Sequence, residues 1–141
     1  MGRLMAIDFG RRRCGIAVTD SLKIVATGLP TVPTSDLIDF VKSYVRREAV
    51  ECIVAGEPKD MKGYESDSMK YIRPVLNRLK KELPDMPIVM WDERFTSVLA
   101  HRGMLDSGMK KSDRRKKENA DEMAAVIILN SYLDSKKYQN R

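Results

Sequence analysis

LMAIDFG, residues Leu4 to Gly10, is the segment that decides the fold of this chain. It is a short apolar run that ends in a carboxylate, an aromatic ring and a glycine, which predicts a strand followed by a turn. Side chains alternate faces along a strand, so Asp8 shares a face with Leu4 and Ala6. A buried carboxylate needs a partner, and a metal ion is one candidate. The alternative is an aspartate that merely ends a strand before a glycine turn.

The remaining sequence predicts a mixed five-stranded sheet flanked by helices. Strands over 14–19 and 24–32 complete a three-strand antiparallel meander, and Gly28 and Pro30 place the third at an edge. Later segments predict a helix over 35–48 capped by Ser35, a strand over 51–55, a helix over 66–83 containing Pro74, a strand over 88–91, a short helix over 96–104, a last helix over 119–135 and a frayed tail over 136–141. The two later strands should be parallel to the first, which gives an α/β fold.

Composition predicts a single domain over residues 1–141 and an anionic partner. The chain is 43% hydrophobic and 33% charged, which is typical of a soluble globular protein. Its formal net charge of +6 makes nucleic acid the first candidate, although a basic protein without such a partner is also consistent. Two cysteines and one histidine exclude the usual zinc clusters and suit a cytoplasmic location. The sequence contains no signal peptide or bilayer-spanning run, so we expect no membrane role.

Acidic residues recur at two later positions. Asp92 and Glu93 follow the strand over 88–91, at the end where parallel sheets place ligands. Neighbouring residues point to opposite faces, so only one of the two can share a site with Asp8, and periodicity does not choose between them.

Asp121 lies near the start of the predicted last helix. The residues on its face are Ala124, Ala125, Ile128 and Tyr132. The small alanines permit close approach to the sheet, which would carry Asp121 towards Asp8. Capping and the helix dipole would also explain an aspartate there. Three such acids would form an all-oxygen site for Mg²⁺ or Mn²⁺, and two ions roughly 3.5–4 Å apart would serve phosphodiester hydrolysis.

Basic residues cluster in two segments. Residues 110–118 hold six cations against two acids, so a predicted loop just before Asp121 carries +4 of the net +6. The cations are Lys110, Lys111, Arg114, Arg115, Lys116 and Lys117. We expect this loop to clamp backbone phosphates, with Arg11, Arg12 and Arg13 on the other side of the site. A solvated surface is the simpler interpretation of any charge run.

Four segments resemble the YqgF family, also called RuvX, a bacterial family with a ribonuclease H-like fold. They are IDFGRRRCGIAVTD at 7–20, GEPKDMKG at 56–63, DERFT at 92–96 and ADEMAAVIIL at 120–129. Together they cover nearly the whole chain, in order and at family-like spacing. The resemblance implies a metal-binding triad of Asp8, Glu93 and Asp121, and therefore Glu93 in preference to Asp92. It also implies a nuclease acting on structured nucleic acid, either at the 5′ end of precursor 16S ribosomal RNA or at four-way DNA junctions.

One position departs from the family pattern. The family usually has leucine where this chain has Glu57, and related nucleases bind metal through an acid at that strand end. Glu57 is thus an additional candidate ligand, although a solvated variant is the simpler interpretation, and we keep it outside the triad.

Two other functions fit parts of the sequence. An actin-like nucleotide phosphatase also begins with a strand, an aspartate and a glycine turn, but it needs two such domains, and 141 residues provide one. A nuclease-fold protein could also grip RNA without cutting it. The chain would act as a monomer or a homodimer, and a junction cutter is expected to be a dimer.

Overall fold

The computed structural model describes residues 2–58, 66–92 and 114–139, with side chains of the last helix described over 123–135. The strands are β1 (Arg3–Asp8), β2 (Arg13–Thr19), β3 (Ala26–Pro33), β4 (Val50–Glu57) and β5 (Ile88–Asp92). The helices are α1 (Leu37–Arg47), α2 (Met69–Glu82) and α3 (Arg114–Gln139), and a single 3₁₀ turn over Thr34–Asp36 precedes α1.

The five strands form one mixed sheet in the order β3-β2-β1-β4-β5. β1 is antiparallel to β2, and β2 to β3, which confirms the predicted meander. β1 pairs in parallel with β4, and β4 in parallel with β5, as expected of strands joined by helical crossovers. β3 lies at the edge, where the missing N–H of Pro30 is tolerated.

Two cores lie on opposite faces of the sheet. On one face, α1 and α2 cover a core that includes Met5, Ile7 and Ile53; we call it the α1/α2 face. On the other, α3 packs on the alternate residues of the same strands, among them Leu4 and Ala6; we call it the α3 face. The pleat of each strand therefore decides which helices its side chains meet.

The start of α1 differs from the predicted Ser35 cap. Ser35 lies within the 3₁₀ turn, and neither that turn nor α1 has a side-chain cap hydrogen bond. The Thr34 hydroxyl instead donates to the Gly10 carbonyl oxygen at 2.8 Å. The beginning of α1 is thus fastened to the turn after β1. The periodicity predicts an apolar stripe of Leu37, Phe40, Val41, Tyr44 and Val45. Leu37, Val41 and Tyr44 are buried, with Ile38 beside them, whereas Phe40 and Val45 are partly buried.

The predicted bounds of α3 are wrong. The helix begins at Arg114, so residues 114–118 are helical where a loop was expected, and it continues to Gln139 through much of the expected frayed tail. Arginine, lysine and glutamate are good helix formers, so a charged run fits a solvated helical turn as well as a loop. The short helix predicted over 96–104 lies outside the described residues. None of the helices in the described part of the chain is both long and apolar enough to cross a membrane.

Candidate functional site

Asp8 ends β1 at the carboxyl edge of the parallel strands. It is half-buried and lies two residues beyond Ala6, which is fully buried on the α3 face. Alternation along β1 therefore directs Asp8 towards the α3 side of the sheet. Gly10 follows in a turn so tight that a Cβ atom there would overlap the Arg13 carbonyl oxygen. The predicted strand and the glycine turn that follows it are thus confirmed by the backbone.

The pleat of β5 gives the face of Asp92, one of the two acids between which periodicity did not choose. Val89 and Trp91 pack in the α3 core, whereas Ile88 and Met90 pack against the α1/α2 core. Asp92 follows Met90 in this alternation and therefore belongs to the face opposite Asp8.

Glu57 also lies on the α1/α2 face. It follows Ile53 and Ala55, both fully buried in that core, and the parallel ladder pairs it with Asp92. The strand pattern thus gives Glu57 a position across the sheet from Asp8.

Part of the predicted site lies outside the described residues. Glu93, Lys110 and Lys111 are not described. The backbone of α3 is described at Asp121 and over 114–117, but the side chains there are not. Within the described residues, no group of three or more histidine, cysteine, aspartate or glutamate side chains could hold a metal ion. Of the three predicted ligands, the described side chains include Asp8.

Helix α3 is fixed to the sheet by small residues and by one indole. Ala125 is fully buried in the same core as Ala6 and Ala17, which lets the helix approach the strands closely. Trp91 Nε1 donates to Ser131 Oγ at 3.2 Å, and its ring meets Tyr132 edge-on with centroids 5.7 Å apart. The sequence indicated the alanines, but nothing in it revealed the bond between Trp91 and Ser131.

The basic turn after β1 faces a neighbour that sequence reasoning missed. The Arg11 guanidinium lies over the Tyr71 ring of α2, 5.2 Å from its centroid. Arg11 and Arg12 are exposed, and they line an open depression together with Arg78 of α2. Arg13 is half-buried at the start of β2 and does not line this depression. No sequence motif indicates that Arg78 lies beside Arg11 and Arg12, because only the packing of α2 beside α1 brings it to the turn.

The four cations over 114–117 occupy the first turns of α3, whose first turn has no acidic residue. The amino end of a helix carries partial positive charge, so helix stability alone disfavours cations there. A bound anion would offset this repulsion.

Two carboxyl groups with lowered pKa, those of Asp20 and Glu51, lie at the opposite end of β1. Backbone N–H groups of Val25, Ile24 and Leu22 donate to Asp20 and lower its pKa, with Val25 the strongest contributor. The pKa of Glu51 is lowered first by its hydrogen bond from Lys23 and further by the Gly2 N–H. These groups stabilise the loop between β2 and β3 and the start of β1.

Comparison with known proteins gives the family. The RuvX profile, described as Holliday junction resolvase, matches residues 2–135. A protein of Phocaeicola vulgatus named "Putative pre-16S rRNA nuclease" is 56% identical over 98% of this chain and 99% of its own length. One of Bacteroides fragilis with the same name is 56% identical over 97% of this chain and 99% of its own.

The fold comparison agrees with the sequence comparison. The structure of T. thermophilus RuvC in complex with Holliday junction substrate superposes with a TM-score of 0.60 at 13% identity, covering 95% of this chain and 97% of that one. At this identity the likeness concerns the fold, which is the predicted ribonuclease H-like one. The chain belongs to the RuvX family of nucleases.

Proposed function

We propose that this protein is a divalent-metal-dependent nuclease that hydrolyses phosphodiester bonds in structured RNA, with the 5′ end of precursor 16S ribosomal RNA as its substrate. The observation that carries the substrate is the match to relatives of that name at 56% identity over nearly the full length of both chains. The position of Asp8 on the α3 side of the sheet supports the chemistry.

The proposed metal ligands are Asp8, Glu93 and Asp121. Asp8 follows Ala6 on the α3 face, and the alternation of β5 predicts the face of Trp91 for Glu93. Asp121 precedes the buried Ala125 by four residues, and helical periodicity predicts the same stripe for both. An all-carboxylate set fits Mg²⁺ or Mn²⁺. The opposite face of Asp92 and Glu57 supports leaving both outside the set.

The chain's own residues would position the substrate. When bound, two divalent ions would activate the attacking water and stabilise the leaving oxygen. The first turns of α3 would present Arg114, Arg115, Lys116 and Lys117 to backbone phosphates. The residues proposed to bind phosphate and the proposed ligand at residue 121 would then be held on one helix, since both lie within the first turns of α3. Packing of Ala125 against the sheet would hold that helix against Asp8.

The direct test is cleavage by the purified full-length protein. Precursor 16S ribosomal RNA and four-way DNA junctions are incubated with Mg²⁺, Mn²⁺ or a chelator. We expect metal-dependent shortening of the 5′ end of the RNA, and we expect Asp8→Asn and Asp121→Asn each to abolish cutting while binding persists. Unchanged cleavage by these two variants would refute the triad, and binding without any cutting would favour an RNA-binding protein.

Cleavage of four-way DNA junctions is the second candidate. The family description and the fold likeness to a junction-bound RuvC favour it. A junction cutter must make paired cuts, so it is expected to act as a homodimer. The mass of the protein–junction complex in solution, measured together with the cleavage products, separates this activity from RNA processing.

A further inference from the structure

An open depression of about 390 Å³ lies beside the turn that follows β1, on the α1/α2 side of the sheet. It is lined by Arg11 and Arg12 of the turn, Thr34 and Ser35 of the 3₁₀ helix, Ile38 of α1, and Val75 and Arg78 of α2. We call it the arginine depression. Residues far apart in sequence build it, so it exists only in the folded chain.

The arginine depression carries an excess of positive charge. Its three ionisable lining residues are Arg11, Arg12 and Arg78, and within the described part of the chain none of them forms an ion pair. Glu82, one helical turn beyond Arg78, is bound first by Lys42, whose Nζ lies 3.1 Å from its Oε2, and interacts with Arg78 only through the weaker electrostatic attraction. Asp36 neighbours Ser35 but does not line the depression.

The turn that carries Arg11 and Arg12 is held in place. The Thr34 hydroxyl donates to the Gly10 carbonyl at 2.8 Å, and the Thr34 N–H donates to the Arg12 carbonyl at 2.9 Å. The Arg11 guanidinium rests on Tyr71, which packs partly buried against the core. Groups that are already ordered lose less entropy when they bind a ligand.

We propose that the arginine depression binds a phosphate group of the nucleic acid, at a contact separate from the acidic site. This inference rests on the proposed function for the identity of the ligand. Guanidinium groups match phosphate in charge and geometry, and the Ser35 hydroxyl, exposed at the rim, adds a donor.

The place of the contact along the strand follows from the sequence. Arg11 is three residues beyond Asp8, so their Cα atoms are at most about 11 Å apart. Asp8 is directed to the α3 side and the depression lies on the α1/α2 side, so the nucleic acid would pass over the edge of the sheet at this turn, with the bound phosphate a few nucleotides from the bond presented at Asp8. That phosphate is either a backbone diester or a terminal monoester, and the two sources differ in charge.

The first test is a titration of the full-length, isotope-labelled protein with inorganic phosphate, followed by amide chemical shifts. We expect saturable shifts at Arg11, Arg12 and Ser35, with chloride at equal ionic strength as the comparison. Arg12→Gln/Arg78→Gln should remove them, whereas the matched Arg46→Gln/Arg47→Gln should not. Arg47 is a suitable control because it is exposed and lies over the Tyr44 ring at 5.6 Å, much as Arg11 lies over Tyr71. Equal shifts over all basic surfaces, or shifts unchanged by the first pair of substitutions, would overturn the proposal.

The second test measures nucleic-acid binding in an Asp8→Asn background, so that failure to cut does not affect the result. Adding Arg12→Gln/Arg78→Gln should weaken binding about ten-fold. The slope of log affinity against log salt should fall by about 1, as for one lost phosphate contact. A loss confined to 5′-phosphorylated strands identifies a terminal phosphate, and a loss with 5′-hydroxyl strands as well identifies a backbone phosphate. Affinity equal to that of the Arg46→Gln/Arg47→Gln control would refute phosphate binding in the arginine depression while leaving the nuclease proposal intact.

Discussion

The two faces of the sheet are packed with side chains of different size. On the α3 face, small residues such as Ala6, Ala17 and Ala125 are fully buried at the contact between helix and sheet. On the α1/α2 face, the corresponding layer contains Met5, Ile7 and Ile16, also fully buried. Small side chains let a helix axis come closer, so the α3 face brings a helix near the strand ends while the other face builds most of the apolar core. The acids proposed as metal ligands and most of the apolar core would thus lie on different faces of the sheet.

The largest effect on cleavage should appear when the acid proposed for the α3 face is neutralised and the result is compared with neutralising an acid on the α1/α2 face. We expect Glu93→Gln to lower cleavage at least about a hundred-fold, since even residues that only support metal ligands contribute 10–100-fold. Asp92→Asn and Glu57→Gln, on the α1/α2 face, should retain most of the activity. Initial cleavage rates under saturating Mg²⁺ measure this. Strong loss in Asp92→Asn together with near-normal Glu93→Gln would reverse the assignment.

The second largest effect should distinguish the two cores by comparing how a cavity in each changes stability and cleavage. Leu129→Ala on the α3 face and Leu37→Ala on the α1/α2 face each remove a fully buried side chain, and each should lower the free energy of unfolding by about 2–5 kcal/mol. Urea unfolding measures both. At a temperature where both variants are folded, only Leu129→Ala should also reduce cleavage, because it loosens the helix that carries Asp121. Equal activity of the two variants would show that α3 need not be held tightly.

A smaller effect concerns the one buried polar side chain among the described residues, Thr19. Its Oγ1 accepts the Leu4 N–H at 2.9 Å at the start of β1. Thr19→Val leaves that N–H without its acceptor and should lower the unfolding free energy by about 1–3 kcal/mol. Thr19→Ser keeps the hydroxyl and serves as the control. If serine destabilises as much as valine, the packing of the methyl group matters more than the hydrogen bond.

The smallest effect lies at the amino end of β1, away from both cores. Glu51, partly exposed, pairs with Lys23, and the lowered pKa of Glu51 means that the folded state favours its charged form. This stabilisation is therefore complete above the ordinary carboxyl pKa and is lost as pH falls through the lowered value. Glu51→Gln should cost about 0.2–1 kcal/mol at neutral pH, as for a solvated ion pair. Urea midpoints of the two proteins should converge in acid; a constant difference at all pH values would exclude the linkage.

Sequence reasoning predicted the sheet well and the details of its edges less well. Apolar runs identified β1 and β4, because residues 4–7 and 53–56 are buried on both faces of the sheet. A hydroxyl residue before an apolar stripe is the usual signal of a helix cap, and this signal indicated Ser35. In the structure the neighbouring Thr34 hydroxyl donates a hydrogen bond to the Gly10 carbonyl oxygen instead. The contacts of Arg78 and Trp91 could not be predicted from the sequence, since both depend on how the helices pack against the sheet.

The pleat of β5 also limits how this protein can change its length. Deleting one residue before Asp92 would shift the strand by one position, move Asp92 to the α3 face and take Glu93 off the face proposed for it. Deleting two would restore each acid to its original face, although the strand would be shorter. When the connecting loop cannot absorb a deletion in the segment that leads into β5, an odd number of deleted residues should move the acids to the wrong faces, whereas an even number should not. Odd and even deletions in this segment should differ in activity far more than they differ in stability.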